Sequence, residues 1–159
     1  MPSLTLEILL PAELSAVTEM LLDPRAMDYC AGPLARPVAR RGEKVPVRWS
    51  LGDEATFELR LAGLPTPMEQ KVRIEELQVE PGVETRLVDT GGGTLFGRWR
   101  HQMRATPAES GGTRLVDEVE WSAAYPLPGL SFGVEMLFRQ RQRRMRQWLE
   151  SGVVPPPVG

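Results

Sequence analysis

The chain is poor in the residues that most often announce chemistry. Among 159 residues there is one cysteine, Cys30, and one histidine, His101. A lone cysteine excludes an internal disulfide and suits a reducing, cytoplasmic setting. One histidine and one cysteine far apart, with no carboxylate motif beside them, argue against a zinc site, so no metal or other cofactor is expected. Charge of one sign is also missing: the net charge is −2, which gives no global attraction to nucleic acid or an anionic membrane. No apolar run reaches the length of a membrane span. The start, MPSLTLEILLPAEL, lacks a basic region and carries Glu7 inside its apolar run, so it reads as a poor signal peptide.

What is present describes an ordinary folded domain. The chain is 42% hydrophobic and 25% charged. A single domain of this length buries roughly 68–70% of its unfolded surface. Fifteen glycines and fifteen prolines are scattered as punctuation. Only the end, GVVPPPVG, concentrates them. The domain is therefore expected over 1–152, with a flexible proline-rich tail over 153–159.

Residues 3–10, SLTLEILL, read as a strand. Leu14, Val17, Leu21 and Leu22 then recur at helical spacing after Pro11, and Pro24 ends or kinks that helix. Residues 24–43 read as a short helix followed by a long loop, with Cys30 in the loop region, near the mouth of any cavity. From there the period changes to two. Segments 45–51, 55–63, 68–80, 84–90, 94–106 and 112–123 alternate, separated by LGDE, GLPTP, PGV, GGG and PAESG. A last helix from Leu130 carries Val134, Leu137, Phe138, Met145, Trp148 and Leu149 on one stripe and Arg139, Arg143, Arg144 and Arg146 opposite. The fold class is α+β: a seven-stranded antiparallel sheet, with two short helices between the first two strands, covered by the long helix. A curved sheet around one helix should leave a cavity.

The stretch GRWRHQMRA, residues 97–105, raises a choice between a nucleic-acid surface and a strand with one wet and one dry face. Alternation places Leu95, Trp99, His101 and Met103 on one face and Phe96, Arg98, Arg100, Gln102 and Arg104 on the other. The apolar set must face the helix, so the arginines face solvent and nucleic acid is not expected as a partner. On the next strand Leu115, Asp117, Val119 and Trp121 point inward, and Val116, Glu118 and Glu120 outward. If the PAESG turn pairs the strands symmetrically, Ala105 lies opposite Thr113 and His101 opposite Asp117. Asp89 shares the parity of Leu87 and can join them. An aspartate-oriented histidine in a dry pocket can act as a general base, pin the strand register, or anchor a ligand's head group.

Two motifs are rejected. GLSFG matches G-x-S-x-G, yet no aspartate or histidine follows Ser131, so it reads as the turn into the last helix. DTGGGTLFG lacks the spacing of a phosphate loop and reads as a flexible hairpin turn.

Trp99-Arg100-His101, the strand Gly112–Glu120, the turn Pro126–Gly129 and the arginine-rich helix Phe138–Leu149 together resemble the SRPBCC (START-like, helix-grip) superfamily. They are similar in particular to its bacterial ligand-binding or polyketide cyclase/dehydrase-type members. The resemblance implies a cavity between sheet and last helix for a small hydrophobic, lipid- or polyketide-like molecule, and supplies no catalytic set. The residues expected to line it are Trp49, Phe57, Leu59, Val72, Ile74, Leu87, Asp89, Trp99, His101, Met103, Leu115, Asp117, Val119, Trp121, Val134 and Phe138. Two other functions remain open: an aromatase-, cyclase- or dehydrase-type enzyme using His101 with Asp117, and a protein- or membrane-interaction module using the last helix's arginines. The pattern is compatible with a homodimer.

Overall fold

A computed structural model describes residues 1–152; the tail expected over 153–159 lies outside the described residues. The chain runs β1 (Ser3–Leu10), α1 (Leu14–Leu21), α2 (Pro24–Ala31), β2 (Ala35–Ala39), β3 (Glu54–Leu61), β4 (Leu64–Glu80), β5 (Glu84–Asp89), β6 (Phe96–Pro107), β7 (Thr113–Ala123) and α3 (Leu130–Ser151). The seven strands form one antiparallel sheet in the order β1-β7-β6-β5-β4-β3-β2. Register shifts in β3/β4, β4/β5 and β6/β7 mark bulges, which bend and twist the strands that carry them.

Local chemistry sets the boundaries. Pro24 opens α2, where a missing N–H costs nothing, and Asp23 caps it by accepting from the Arg25 amide at 2.9 Å. The β3–β4 turn is Ala62-Gly63, both at positive φ (49° and 81°), the two-residue hairpin geometry. GLPTP is therefore not a link: Pro65 and Pro67 lie within β4, in a part of the strand that has β3 but not β5 beside it. Left-handed glycines, Gly129 and Gly152, bound the 22-residue α3.

Two expected elements change places. Segment 45–51 is not a strand. Its alternation is real, but Val47 is 94% exposed and Leu51 64%, so no second layer receives them. Trp49 is buried, its backbone N–H donating to Leu22 O at 2.8 Å rather than to a strand, and Val45 packs partly on the core. The second strand is instead ARPVA, inside the expected long loop. It pairs with β3 at the sheet edge, where Pro37 is tolerated. Cys30 lies within α2 and is fully buried, and that burial pushes its thiol up to about 11.

The core has two parts. The larger joins α1, α2, Trp49, the middle strands and Met145 of α3. The smaller gathers Val119, Trp121, Val134 and Phe138, with Leu4, Leu6, Phe96, Trp99 and Leu130 packed on it. Phe96 thus belongs to the inner face, against the alternation: the bulge between Phe96 and Arg98 turns it inward, 4.7 Å from the Trp99 ring. On the outer face Gln102 is buried among Arg86, Arg100 and Glu118, to which its amide is hydrogen-bonded.

Candidate functional site

Buried polar side chains gather around Asp117. The β6–β7 hairpin closes at Pro107↔Thr113, with Gly111 and Gly112 at positive φ, so the register places Ala105 opposite Leu115 and Met103 opposite Asp117. His101 therefore faces Val119, two positions from the symmetric pairing expected. An even offset keeps the same faces inward. His101 and Asp117 meet diagonally instead, Nε2 to Oδ1 at 2.7 Å.

Asp117 is 1% exposed and holds two further donors, both from α3: Arg141 Nη1 to Oδ1 at 2.8 Å and Gln142 Nε2 to Oδ2 at 2.8 Å. Burial pushes this carboxyl up. Against it act the charge of Arg141, the hydrogen bond and charge of His101, and the Gln142 amide, which together hold it at about 2. The carboxylate is ionised and can only accept. His101 Nε2 is thus the donor, and in the neutral ring Nδ1 carries the lone pair. Nδ1 makes no hydrogen bond among the described residues.

Asp89 lies directly opposite His101 on β5. Its Oδ1 accepts from the Arg73 and Gly91 amides at 2.8 and 2.9 Å, and Oδ2 from Trp99 Nε1 at 3.1 Å. Burial raises this carboxyl above the usual range, partly opposed by those donors and by His101. Asp89 also fixes the glycine run. A Cβ on Gly91 would lie 1.7 Å from Lys71 O, and one on Gly93 2.2 Å from Glu69 O. These glycines are pressed against β4, with Lys71 N–H donating to Gly92 O, and are not a loose hairpin turn.

These polar side chains, a belt between β5–β7 and α3, adjoin a cavity of about 80 Å³. Its walls come from α1 and α2 (Met20, Leu21, Asp23, Ala26, Met27), Trp49, the sheet (Val72, Ile74, Leu87, Asp89, His101, Met103) and α3 (Arg141, Met145). Such a space holds two or three waters at about 30 Å³ each and falls well short of the roughly 300–1,000 Å³ of ligand pockets. The expected roomy cavity is thus small here, and Met20, Met27, Met103 and Met145 are among its walls. A larger surface groove of about 390 Å³, lined by Leu9–Glu13, Gly111, Gly112 and Arg146, contains neither His101 nor Asp117.

Of the expected lining, Trp49, Val72, Ile74, Leu87, Asp89, His101 and Met103 reach the cavity. Phe57 and Leu115 are sealed core, and Leu59 is half-buried on β3 outside both core clusters. Val119, Trp121, Val134 and Phe138, with Trp99 packed on them, form the smaller cluster, and Asp117 stands behind His101. Arg141 and the walls from α1 and α2 were not anticipated. The signal existed: the α3 stripe passes from Phe138 to Met145 and skips its inward turn at 141–142, where the polar pair sits. The other α3 cations are largely engaged within the chain. Arg139 pairs with Glu135 at 2.8 Å, Arg144 lies 4.1 Å over the Tyr29 ring, and Arg146 donates to Leu9 O at 3.0 Å. Ser131 lies exposed in the first turn of α3, apart from His101.

This architecture is the helix-grip fold, a curved antiparallel sheet closed by a long C-terminal helix. No protein-family model and no curated protein matches the sequence. Among solved structures, a protein of Chromobacterium violaceum is similar with a TM-score of 0.70 at 17% identity, over 93% of this chain and 96% of that one. A START superfamily protein from Mycobacterium smegmatis also gives 0.70, at 11% identity over 95% and 99%. A major latex-like protein from Panax ginseng gives 0.64, at 9% identity over 97% and 98%. Among the described residues no helix is long and apolar enough to cross a membrane.

Proposed function

We propose that the chain binds one small, largely apolar molecule in the space between α1–α2, the sheet and α3, with His101 and Arg141 as its polar contacts. The observation that carries this reading is the composition of the walls. Four of the seven methionines in the chain line a cavity that also contains a histidine and an arginine. Methionine is unbranched and adaptable, and recurs where a binding surface must change shape. Withdrawal of those side chains creates the room that the resting cavity lacks. The start-to-end likeness to a START superfamily protein supports the same reading through fold alone.

Methyl-¹³C-methionine NMR tests it. Titration with cyclic hydrocarbons and their oxygenated derivatives of six to ten carbons should move Met20, Met27, Met103 and Met145 while leaving Met136 in place. Saturating ligand without that selective response sinks the proposal.

A second reading is favoured by the tautomer argument. With Nε2 committed to Asp117, Nδ1 is the basic nitrogen left for a substrate, as an aromatase-, cyclase- or dehydrase-type enzyme would use it. Replacing His101 by Gln would then abolish turnover while ligand affinity changes little. Unchanged turnover removes this reading.

A further inference from the structure

We infer that the molecule this cavity takes is neutral and carries a carbonyl oxygen beside a hydroxyl group, the carbonyl received by Arg141 and the hydroxyl proton by His101. The inference rests on the binding reading above and specifies the polar chemistry of the occupant.

Elimination among the ionisable groups of the wall leads there. Four of them line the cavity: Asp23, Asp89, His101 and Arg141. Asp23 is closed by Arg25, whose backbone amide and guanidinium contact both carboxylate oxygens at 2.6–3.0 Å. Asp89 is closed by Arg73, Gly91 and Trp99. His101 and Arg141 are not closed. A guanidinium has five N–H donors. Among the described residues Arg141 meets an oxygen through Nη1 alone, while Nη2 rests at 3.0 Å on Met103 Sδ, a weak acceptor. Arg141 is 16% exposed, so its remaining donors have little water to satisfy them. A ligand oxygen in place of the methionine sulfur would give Nη2 a proper acceptor. His101 Nδ1 has no hydrogen-bond partner among the described residues, and an imidazole whose Nε2 donates to Asp117 offers Nδ1 as the acceptor for a hydroxyl proton.

The two open groups are neighbours, because both donate to the same Asp117 Oδ1. Both side chains also line the same cavity, so one small molecule bearing two oxygens can be offered to both. Charge argues that this molecule is neutral. Around the space stand three carboxylates, Asp23, Asp89 and Asp117, against two guanidiniums, Arg25 and Arg141, which already face Asp23 and Asp117. A ligand anion would meet Asp89, whose partners among the described residues are two backbone amides and an indole rather than a guanidinium.

The test uses the intact protein and a ring series of nearly constant size: 2-hydroxycyclohexanone, cyclohexanone, cyclohexanol and cyclohexane, with cyclohexanecarboxylate as the anion. Dissociation constants come from the methionine methyl shifts. The hydroxyketone should bind at least tenfold tighter than either single-oxygen ring and than the carboxylate. R141K retains a cation for Asp117, yet should lose most of the advantage of the ketone oxygen; H101F should lose that of the hydroxyl. Equal affinities across the neutral rings, or the carboxylate binding tightest, overturn the inference and leave the binding reading intact. No methyl shift with any ring overturns both. The ranking by the unmodified protein decides the question even if a variant fails to fold.

Discussion

Removing the Asp117 carboxylate would strand Arg141 and His101 in the interior, because Asp117 is the buried acceptor that both of them face. Loss of one member of a buried ion pair costs about 3–5 kcal/mol, because the remaining charge is uncompensated. D117N should fall in that range by chemical denaturation. A cycle with R141M should show coupling, the double variant being more stable than the sum of the two singles predicts. Additive losses would mean that the two groups do not form a unit. The same carboxylate sets an acid limit. Its folded pKa of about 2 lies below the ordinary aspartate value of 3.8, so it stabilises the fold above the unfolded value and loses that contribution as pH falls toward 2. The size is roughly 2 kcal/mol. Asp89 runs the other way: its pKa is raised, so its contribution is lost as pH rises through the folded value. Stability measured from pH 5 to 2 should therefore fall less steeply in D117N than in the parent.

At the scale of elements, the loop between β2 and β3 holds one indole in the cavity wall. Trp49 is 4% exposed, yet its flanking residues Val47 and Leu51 face solvent. W49A should cost about 3–5 kcal/mol, as large core truncations do. It should also widen the cavity and raise affinity for larger hydrophobic rings; an unchanged size preference would show that the indole does not bound the binding space. Gly91 is equally constrained. G91A forces backbone apart at Lys71 and should unfold or strongly destabilise the protein, whereas alanine at Gly133, which has nothing within 4 Å, should be tolerated.

These elements also show what a sequence can disclose. Period-two alternation located β3 to β7 because each has a packed face and a wet face. It erred at 45–51, where Val45, Val47, Trp49 and Leu51 alternate without a sheet to receive them. β2 was hidden because it has five residues, an edge position and a central proline. His101 and Asp117 were legible as the polar interruptions of apolar strand faces. Their diagonal contact was not, since hairpin register depends on how far β6 runs before turning, and the ladder continues to Pro107. Arg141 was obscured by its neighbours: in FRQRQRRMRQWL only the stripe's phase distinguishes the inward arginine from those that face outward. The resting size of the cavity lay beyond reach, being a matter of side-chain packing.

For the whole molecule, the polar belt joins the sheet to α3, while the cavity lies under α1 and α2. The two sides are unequal in independent stability. α3 has 22 residues and is tied to Asp117, Tyr29 and Leu6 by side-chain hydrogen bonds. α1 and α2 have eight residues each, below the roughly 12–15 at which isolated helices become even marginal in water. The α1 N-terminus has no side-chain cap, and the helix is held to β5 by one buried hydroxyl pair, Thr18–Thr85 at 2.6 Å. Entry to the cavity should therefore occur by local opening of α1–α2 with the Trp49 loop, while β5–β7 and α3 stay folded. Native-state hydrogen exchange should show α1 and α2 amides opening at lower free energy than those of β6 and β7. Replacing Thr18 by Val should lower that local opening energy, leave the strand amides at the global value, and speed ligand association. Uniform exchange through both layers would instead make opening global, so that ligand entry required unfolding of the whole domain.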